Sequence, residues 1–169
     1  LFVTVYQDLM IAVAMGVIFS IFRSIKEINI IFKSKFEHRI IPFSDSDFIL
    51  KENNMNKYIG LPVSVLQPQG PLFFCSLQPL INVYSNAPDH EILIIDMGCI
   101  TMIDLSGLFG LEDIIKSTKA KNIKVVVSNV NSKIKEILEK MDFFKRIGDN
   151  YNDSKNSIAS FVLNNSTKN

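Results

Sequence analysis

The sequence predicts an α/β fold: a small mixed β-sheet with helices packed mainly on one face, preceded by an N-terminal membrane helix. Three observations carry this reading. Strand-like and helix-like periodicities alternate from residue 60 onward, the pattern of a sheet with crossover helices. The rows Ile92, Leu93, Ile94, Ile95 and Val125, Val126, Val127 are unbroken and apolar, as in strands buried on both faces. The first 22 residues carry one formal charge, Asp8.

The N-terminal stretch comes first. From Leu9 to Phe22 no residue is charged. As a helix this run rises about 21 Å, short of the ~30 Å hydrocarbon core. It spans a bilayer only if the preceding apolar residues join it, or as a shortened helix in a bundle. No positive region precedes it and no small-x-small cleavage site follows, so it does not read as a signal peptide. Met10, Ile11, Val13, Met15, Val17, Ile18, Phe19 and Ile21 point all round a helix, which excludes an amphipathic surface helix. A buried helix of a soluble protein fits the same pattern. The residues that follow favour the membrane: Arg23, Lys26, Lys33, Lys35 and Arg39 stand against Glu27 and Glu37. Such a basic juxtamembrane cluster marks the cytosolic side and suits anionic headgroups. Asp8, directly before the apolar run, is expected to cap the helix rather than couple an ion. The chain opens on apolar residues at Leu1 and reads as a fragment of a longer protein.

The expected organisation is therefore a membrane-helix end at 1–25, a basic juxtamembrane segment and linker at 26–57, a cytosolic domain at 58–163 and a disordered tail at 164–169. Within the domain, Gly60 to Leu66 alternates as a strand, and Gln67 to Pro71 reads as a turn before the short apolar run Leu72 to Phe74. Leu77 to Tyr84 is expected to be helical, Glu91 to Asp96 a buried strand, and Asn122 to Asn129 another. Leu108, Leu111, Ile115 and Thr118 recur at helical spacing, as do Ile134, Ile137, Leu138 and Met141. Ile158, Phe161 and Val162 suit one short final helix. Cys75 and Cys99 lie in apolar runs and are expected to be buried thiols.

The net charge of +1 gives no basic face for nucleic acid. There is no Ser-His-Asp order, no Cys/His metal spacing and no Gly-rich phosphate loop, so no enzyme, metal or cofactor is expected. His38 and His90 are isolated and expected at the surface. Sequons start at Asn152, Asn164 and Asn165 but matter only outside the cytosol. One stretch, Ile94 to Leu111, has the makings of a site. A strand ends at Asp96, a turn holds Gly98, and Asp104, Ser106 and Gly107 open a helix. Backbone N–H groups at such a start face anions. Ser106 is expected to satisfy local N–H groups with its hydroxyl.

Asp96 followed by Asp104-Leu105-Ser106-Gly107-Leu108 resembles the STAS family, named for sulfate transporters and anti-sigma factor antagonists. Gly70-Pro71-Leu72-Phe73-Phe74 looks like the signature of its transporter branch, and Val125 to Val130 is similar to its strand-to-helix passage. The resemblance covers roughly Tyr58 to Val162, and Asp8 to Val17 is similar to the last membrane helix of SulP transporters. It implies a STAS-type sheet behind the final membrane helix of a secondary active sulfate or anion transporter. It places the protein in the cell membrane with its STAS domain in the cytoplasm. The transported anion would bind elsewhere in the full protein. The domain would serve assembly or regulation, through a cytosolic protein partner or a homodimer, with Ile103, Leu105, Leu108 and Phe109 as the contact. In the antagonist branch the serine before the glycine is phosphorylated, here Ser106, although Leu105 departs from that branch's pattern. A soluble phospho-switch is the alternative, and a nucleotide-binding module using the 96–107 loop is a third.

Overall fold

The computed structural model describes the backbone of residues 2–35, 37–49, 55–148, 151–152 and 155–166, and the side chains of 9–26, 37–49, 57–148, 151–152 and 157–166. The chain divides into two compact units, Leu1–Lys35 and Phe36–Asn169.

The first unit is one helix, α1 (Phe2–Lys35). At 1.5 Å per residue its 34 residues extend about 50 Å. Within it, Leu9–Lys26 has a mean hydropathy of 1.8 and is long and apolar enough to cross a membrane. The apolar run is thus one part of a longer helix, because residues on both sides continue the helical backbone. Asp8 consequently lies inside α1, not at its start, and does not cap it. The side chains of Asp8, Lys33 and Lys35 lie outside the described residues, while Arg23 and Lys26 sit exposed on α1.

The second unit is an α/β fold. Its main sheet has the order β1-β2-β4-β6, from β1 (Arg39–Pro42), β2 (Val63–Gln67), β4 (Ile92–Asp96) and β6 (Lys124–Ser128). β1 runs antiparallel to β2, and the other pairs are parallel. A second, two-stranded parallel sheet joins β3 (Gly70–Leu72) to β5 (Ile100–Ile103). The helices are α2 (Phe74–Ser85), α3 (Leu105–Ala120), α4 (Ser132–Lys140), α5 (Phe143–Ile147) and α6 (Lys155–Ser166).

β4 explains the layering. All five of its residues are buried, and successive side chains alternate between faces. Leu93 and Ile95 join Leu66, Val125 and Val127 in a core with Leu80 of α2, Leu108, Leu111 and Ile115 of α3 and Ile134 and Leu138 of α4. Ile92 and Ile94 join Val63 and Val65 in a smaller core on the other face, closed by Ile158, Ala159 and Val162 of α6 and by Phe43, Phe48, Ile49 and Tyr58. The helices are therefore mainly on one face, as the sequence predicts, with α6 opposite.

Several boundaries move. The 26–57 segment, expected as a linker, contains the end of α1 and then the edge strand β1. Its Phe43 stacks against Phe48 at 6.3 Å and meets Tyr58 edge-on at 5.5 Å. These rings supply apolar area to the second core, which is why a polar-looking stretch is built into the domain. Residues 50–54 of that segment lie outside the described residues. α2 begins at Phe74, because the Phe73 N–H donates to Ser76 Oγ (2.8 Å) and this hydroxyl donates back to the Phe73 carbonyl (2.9 Å). β5 falls where the sequence suggested only a turn. α6 continues through Ser166, so the helix enters the expected 164–169 tail, of which 167–169 lie outside the described residues. Cys75 and Cys99 are exposed, not buried: one opens α2 and the other precedes β5, so neither points into the core.

Candidate functional site

Two places in the second unit gather chemistry. The first is at the carboxyl ends of the parallel strands, where ligands of open α/β sheets usually bind. β2 ends at Gln67, β4 at Asp96 and β6 just before Asn129. Asp96 is buried, 6% exposed. Its Oδ1 accepts from the Gly98 N–H (3.0 Å) and from Asn129 Nδ2 (2.7 Å), and its Oδ2 from Gln67 Nε2 (3.2 Å). A carboxylate with three donors tolerates burial because its charge is solvated by the protein. Asn129 reaches it from a left-handed backbone conformation at φ 56°, which asparagine accepts readily. A Cβ at Gly98 would lie 2.3 Å from Asn129 Nδ2 and 3.2 Å from Asp96 Oδ1, so a side chain there would push the Asn129 amide off the carboxylate. A cavity of about 570 Å³ adjoins this network, lined by Arg39, Asp45, Asp47, Gln69 and Cys99 among others. Arg39, expected in the juxtamembrane cluster, instead belongs to the sheet, because strand pairing sets it opposite Gln67. Among the described residues no three metal-ligating side chains converge.

The second place is the start of α3. Asp104 caps it: its Oδ1 accepts from the Gly107 N–H at 2.7 Å. The capping role expected of Ser106 therefore falls to Asp104, and Ser106 lies part-exposed in the first helical turn. The carboxylate already occupies the Gly107 N–H that would face an anion. Gly107 itself is pressed onto β3, where an added Cβ would sit 2.2 Å from the Leu72 carbonyl oxygen.

Of the four residues expected to form a partner contact, Ile103 and Leu108 are 5% and 0% exposed. Both face the core, because they sit on the inner sides of β5 and α3. Leu105 and Phe109 are exposed, and so are Met102, Phe74 and Ile81. Between α2 and α3 runs a groove of about 580 Å³, lined by Phe74, Leu77, Ile81, Ser106, Phe109 and Gly110 among others. Phe74, Leu77 and Ile81 recur at i, i+3 and i+7, a helical face legible in the sequence had α2 been started at Phe74.

The histidines differ from expectation. His38 is 6% exposed, its ring held between two backbone groups. His90 is part-buried, with Nδ1 2.7 Å from the Pro88 carbonyl. The His90 ring is fixed by a carbonyl of its own loop, the His38 ring by the Ser76 carbonyl of α2 and the Gln69 N–H.

The fold has known counterparts. A family model described as the STAS domain matches residues 54–158. The STAS domain of a SulP transporter from Vibrio cholerae aligns with a TM-score of 0.50 and 25% identity, over 63% of this chain and 84% of that one. A sulfate transporter family protein from Wolinella succinogenes shares the fold with a TM-score of 0.54 at 21% identity, over 62% of this chain and 89% of that one. An ATP-dependent DNA helicase from Methanococcus vannielii is 30% identical over 99 residues. That alignment takes in 56% of this chain and only 13% of the helicase's length.

Proposed function

This chain belongs to the STAS domain family, and we propose that it is the C-terminal part of a secondary active sulfate or anion transporter of the cell membrane. The observation that carries the reading is the combination in one chain. An exposed apolar helix, α1, is followed directly by a domain whose fold and sequence match the STAS domain of a SulP transporter. Basic Arg23 and Lys26 at the end of the apolar window support a cytoplasmic STAS domain. In this reading α1 ends the membrane domain, residues 36–166 form the regulatory or assembly domain, and the anion binds outside this chain. The exposed Leu105 and Phe109 beside the α2–α3 groove are the proposed protein contact. The gene carrying this chain, expressed in cells without sulfate uptake, is expected to restore accumulation of labelled sulfate or a related small anion. Expression at the membrane without uptake of any small anion would refute the transporter reading.

A second reading makes Ser106 a phosphorylation switch. Its support is that Ser106 is part-exposed on the first turn of α3 and lines the same groove. A phosphate there would be attracted by the helix start and repelled by Asp104. Phosphate-affinity electrophoresis of the protein from its native cells tests this, and a Ser106 unmodified under every growth condition removes it.

A further inference from the structure

His38 stands three residues beyond Lys35, the last residue of α1, and directly before β1. Its Nδ1 is 3.1 Å from the Gln69 backbone nitrogen, and its Nε2 is 3.0 Å from the Ser76 carbonyl oxygen. A backbone N–H can only donate, so Nδ1 must be the acceptor and carry no proton. Nε2 then holds the ring proton and donates to Ser76. The neighbouring Arg39 grips the same turn: with its amide oriented to accept, Gln69 Oε1 takes Arg39 Nη2 at 2.7 Å and Nε at 2.9 Å. The residues at which the chain enters the domain are thus pinned to the turn before β3 and to the first turn of α2.

We propose that His38 is a proton-operated clasp: neutral, it holds the segment leaving α1 onto the turn at Gln69 and the start of α2; protonated, it releases that segment. A proton on Nδ1 would set two N–H groups against each other and put a cation where the ring is now buried. Burial holds the His38 pKa below its ordinary 6.5, offset in part by the Ser76 carbonyl. Among the described residues the titratable or charged groups on the surrounding segments include Glu37 and Arg39 on its own segment, the Cys75 thiol beside Ser76, Asp96 bonded to Gln67, and Asp45 and Asp47, which line a cavity together with Arg39 and Gln69. By sequence, 67–73 and α2 contain no charged residue. Because the folded pKa is depressed, the stabilisation is present above pH 6.5 and lost as the pH falls through the lowered folded value. Between those two values the open junction gains up to roughly tenfold in population per pH unit.

Hydrogen–deuterium exchange of the full chain in detergent micelles, from about pH 7.5 to about pH 5 and corrected for intrinsic rates, tests this. Peptides covering 37–42 and 68–77 are expected to lose protection in acid, while those from β4 keep theirs. In His38→Gln the acid-induced loss is expected to vanish. Unchanged protection of 37–42 in wild type down to the acid limit, or the same loss in the variant, overturns the proposal. Should the variant fail to fold, nitrogen-15 spectra of the His38 ring decide. A proton on Nε2 with titration below 6.5 supports the clasp, and a ring titrating at or above that value overturns it.

Discussion

Replacing Gly107 with alanine separates two opposite effects in one helix. In an open helix the change gains about 1 kcal/mol, because alanine restricts the unfolded chain and suits the helix. At Gly107 the new Cβ would lie 2.2 Å from the Leu72 carbonyl oxygen and 2.8 Å from its carbon. That is roughly 1 Å short of any sustainable contact. Leu72 cannot easily yield: it is paired to Ile103 in the small sheet, and its carbonyl accepts from the Asp104 N–H at 3.2 Å. Overpacking against a fixed backbone costs about 1–3 kcal/mol. Because the partner is fixed, the cost falls in the upper part of that range; with the propensity gain subtracted, a net loss of about 1–2 kcal/mol is expected, a drop of roughly 4–7 °C in Tm for a domain of this size. Gly110→Ala is the internal control. Its Cβ would meet Leu77 Cδ2 at 2.3 Å, Cδ1 at 2.8 Å and Cγ at 3.1 Å, all atoms of one part-buried side chain, which can yield by a change of rotamer where the Leu72 backbone cannot. Its effect should stay within about 1 kcal/mol of wild type. Thermal and urea melts followed by circular dichroism measure both. A Gly107→Ala chain as stable as wild type, or less perturbed than Gly110→Ala, would refute the close helix–strand approach.

Other outcomes follow from the same structure. Glu112 is 5% exposed and accepts from Arg146 Nε at 2.6 Å, with Lys116 at 3.8 Å. Arg146→Ala should cost about 2 kcal/mol in urea melts, below the full penalty for a buried unpaired charge because Lys116 is near; Glu112→Gln in the same background should recover part of it. Asp96→Ala leaves the Gly98 N–H, Asn129 and Gln67 without their acceptor and should cost about 2–3 kcal/mol, with the loss measured by the same melts. Phe109→Asp and Leu105→Asp should weaken self-association or partner capture by roughly tenfold or more while leaving Tm nearly unchanged, since both side chains are exposed. Size-exclusion chromatography with light scattering reads this, and an unaltered assembly state with unaltered partner binding counts against the contact.

Much of the fold was legible because its central strands are pure cases. Ile92 to Ile95 and Val125 to Val127 are apolar on both faces, and a sheet covered on both sides is what such rows require. The α3 and α4 stripes were equally plain. The elements that differ share a cause: there tertiary pairing overrides local composition. Arg39 to Pro42 contains only two apolar residues, Ile40 and Ile41, yet it is a strand because β2 offers an unpaired edge. Residues 43–49 look polar, yet Phe43, Phe48 and Ile49 all turn inward. At α3, sequence placed Asp104 and Ser106 together at the helix start. Which of them caps depends on backbone geometry at one residue, φ −105° and ψ 178° at Asp104, and sequence does not carry that. His38 could not be placed from its neighbours, since its partners Gln69 and Ser76 lie more than thirty residues downstream.

The edge strand β1 also bears on how this domain can be cut out. The 54–158 interval matched by the family model excludes β1 and stops within α6. A polypeptide trimmed to that interval would bare the flank of β2, whose Val63 to Leu66 are all buried in the intact chain. It would also lose Phe43, Phe48, Ile49, Ala159 and Val162 from the second core. Such a flank, long unpaired and apolar, recruits strands from other molecules. Solubility on excision therefore depends on keeping the chain from about His38 through Ser166, which carries both β1 and the whole of α6.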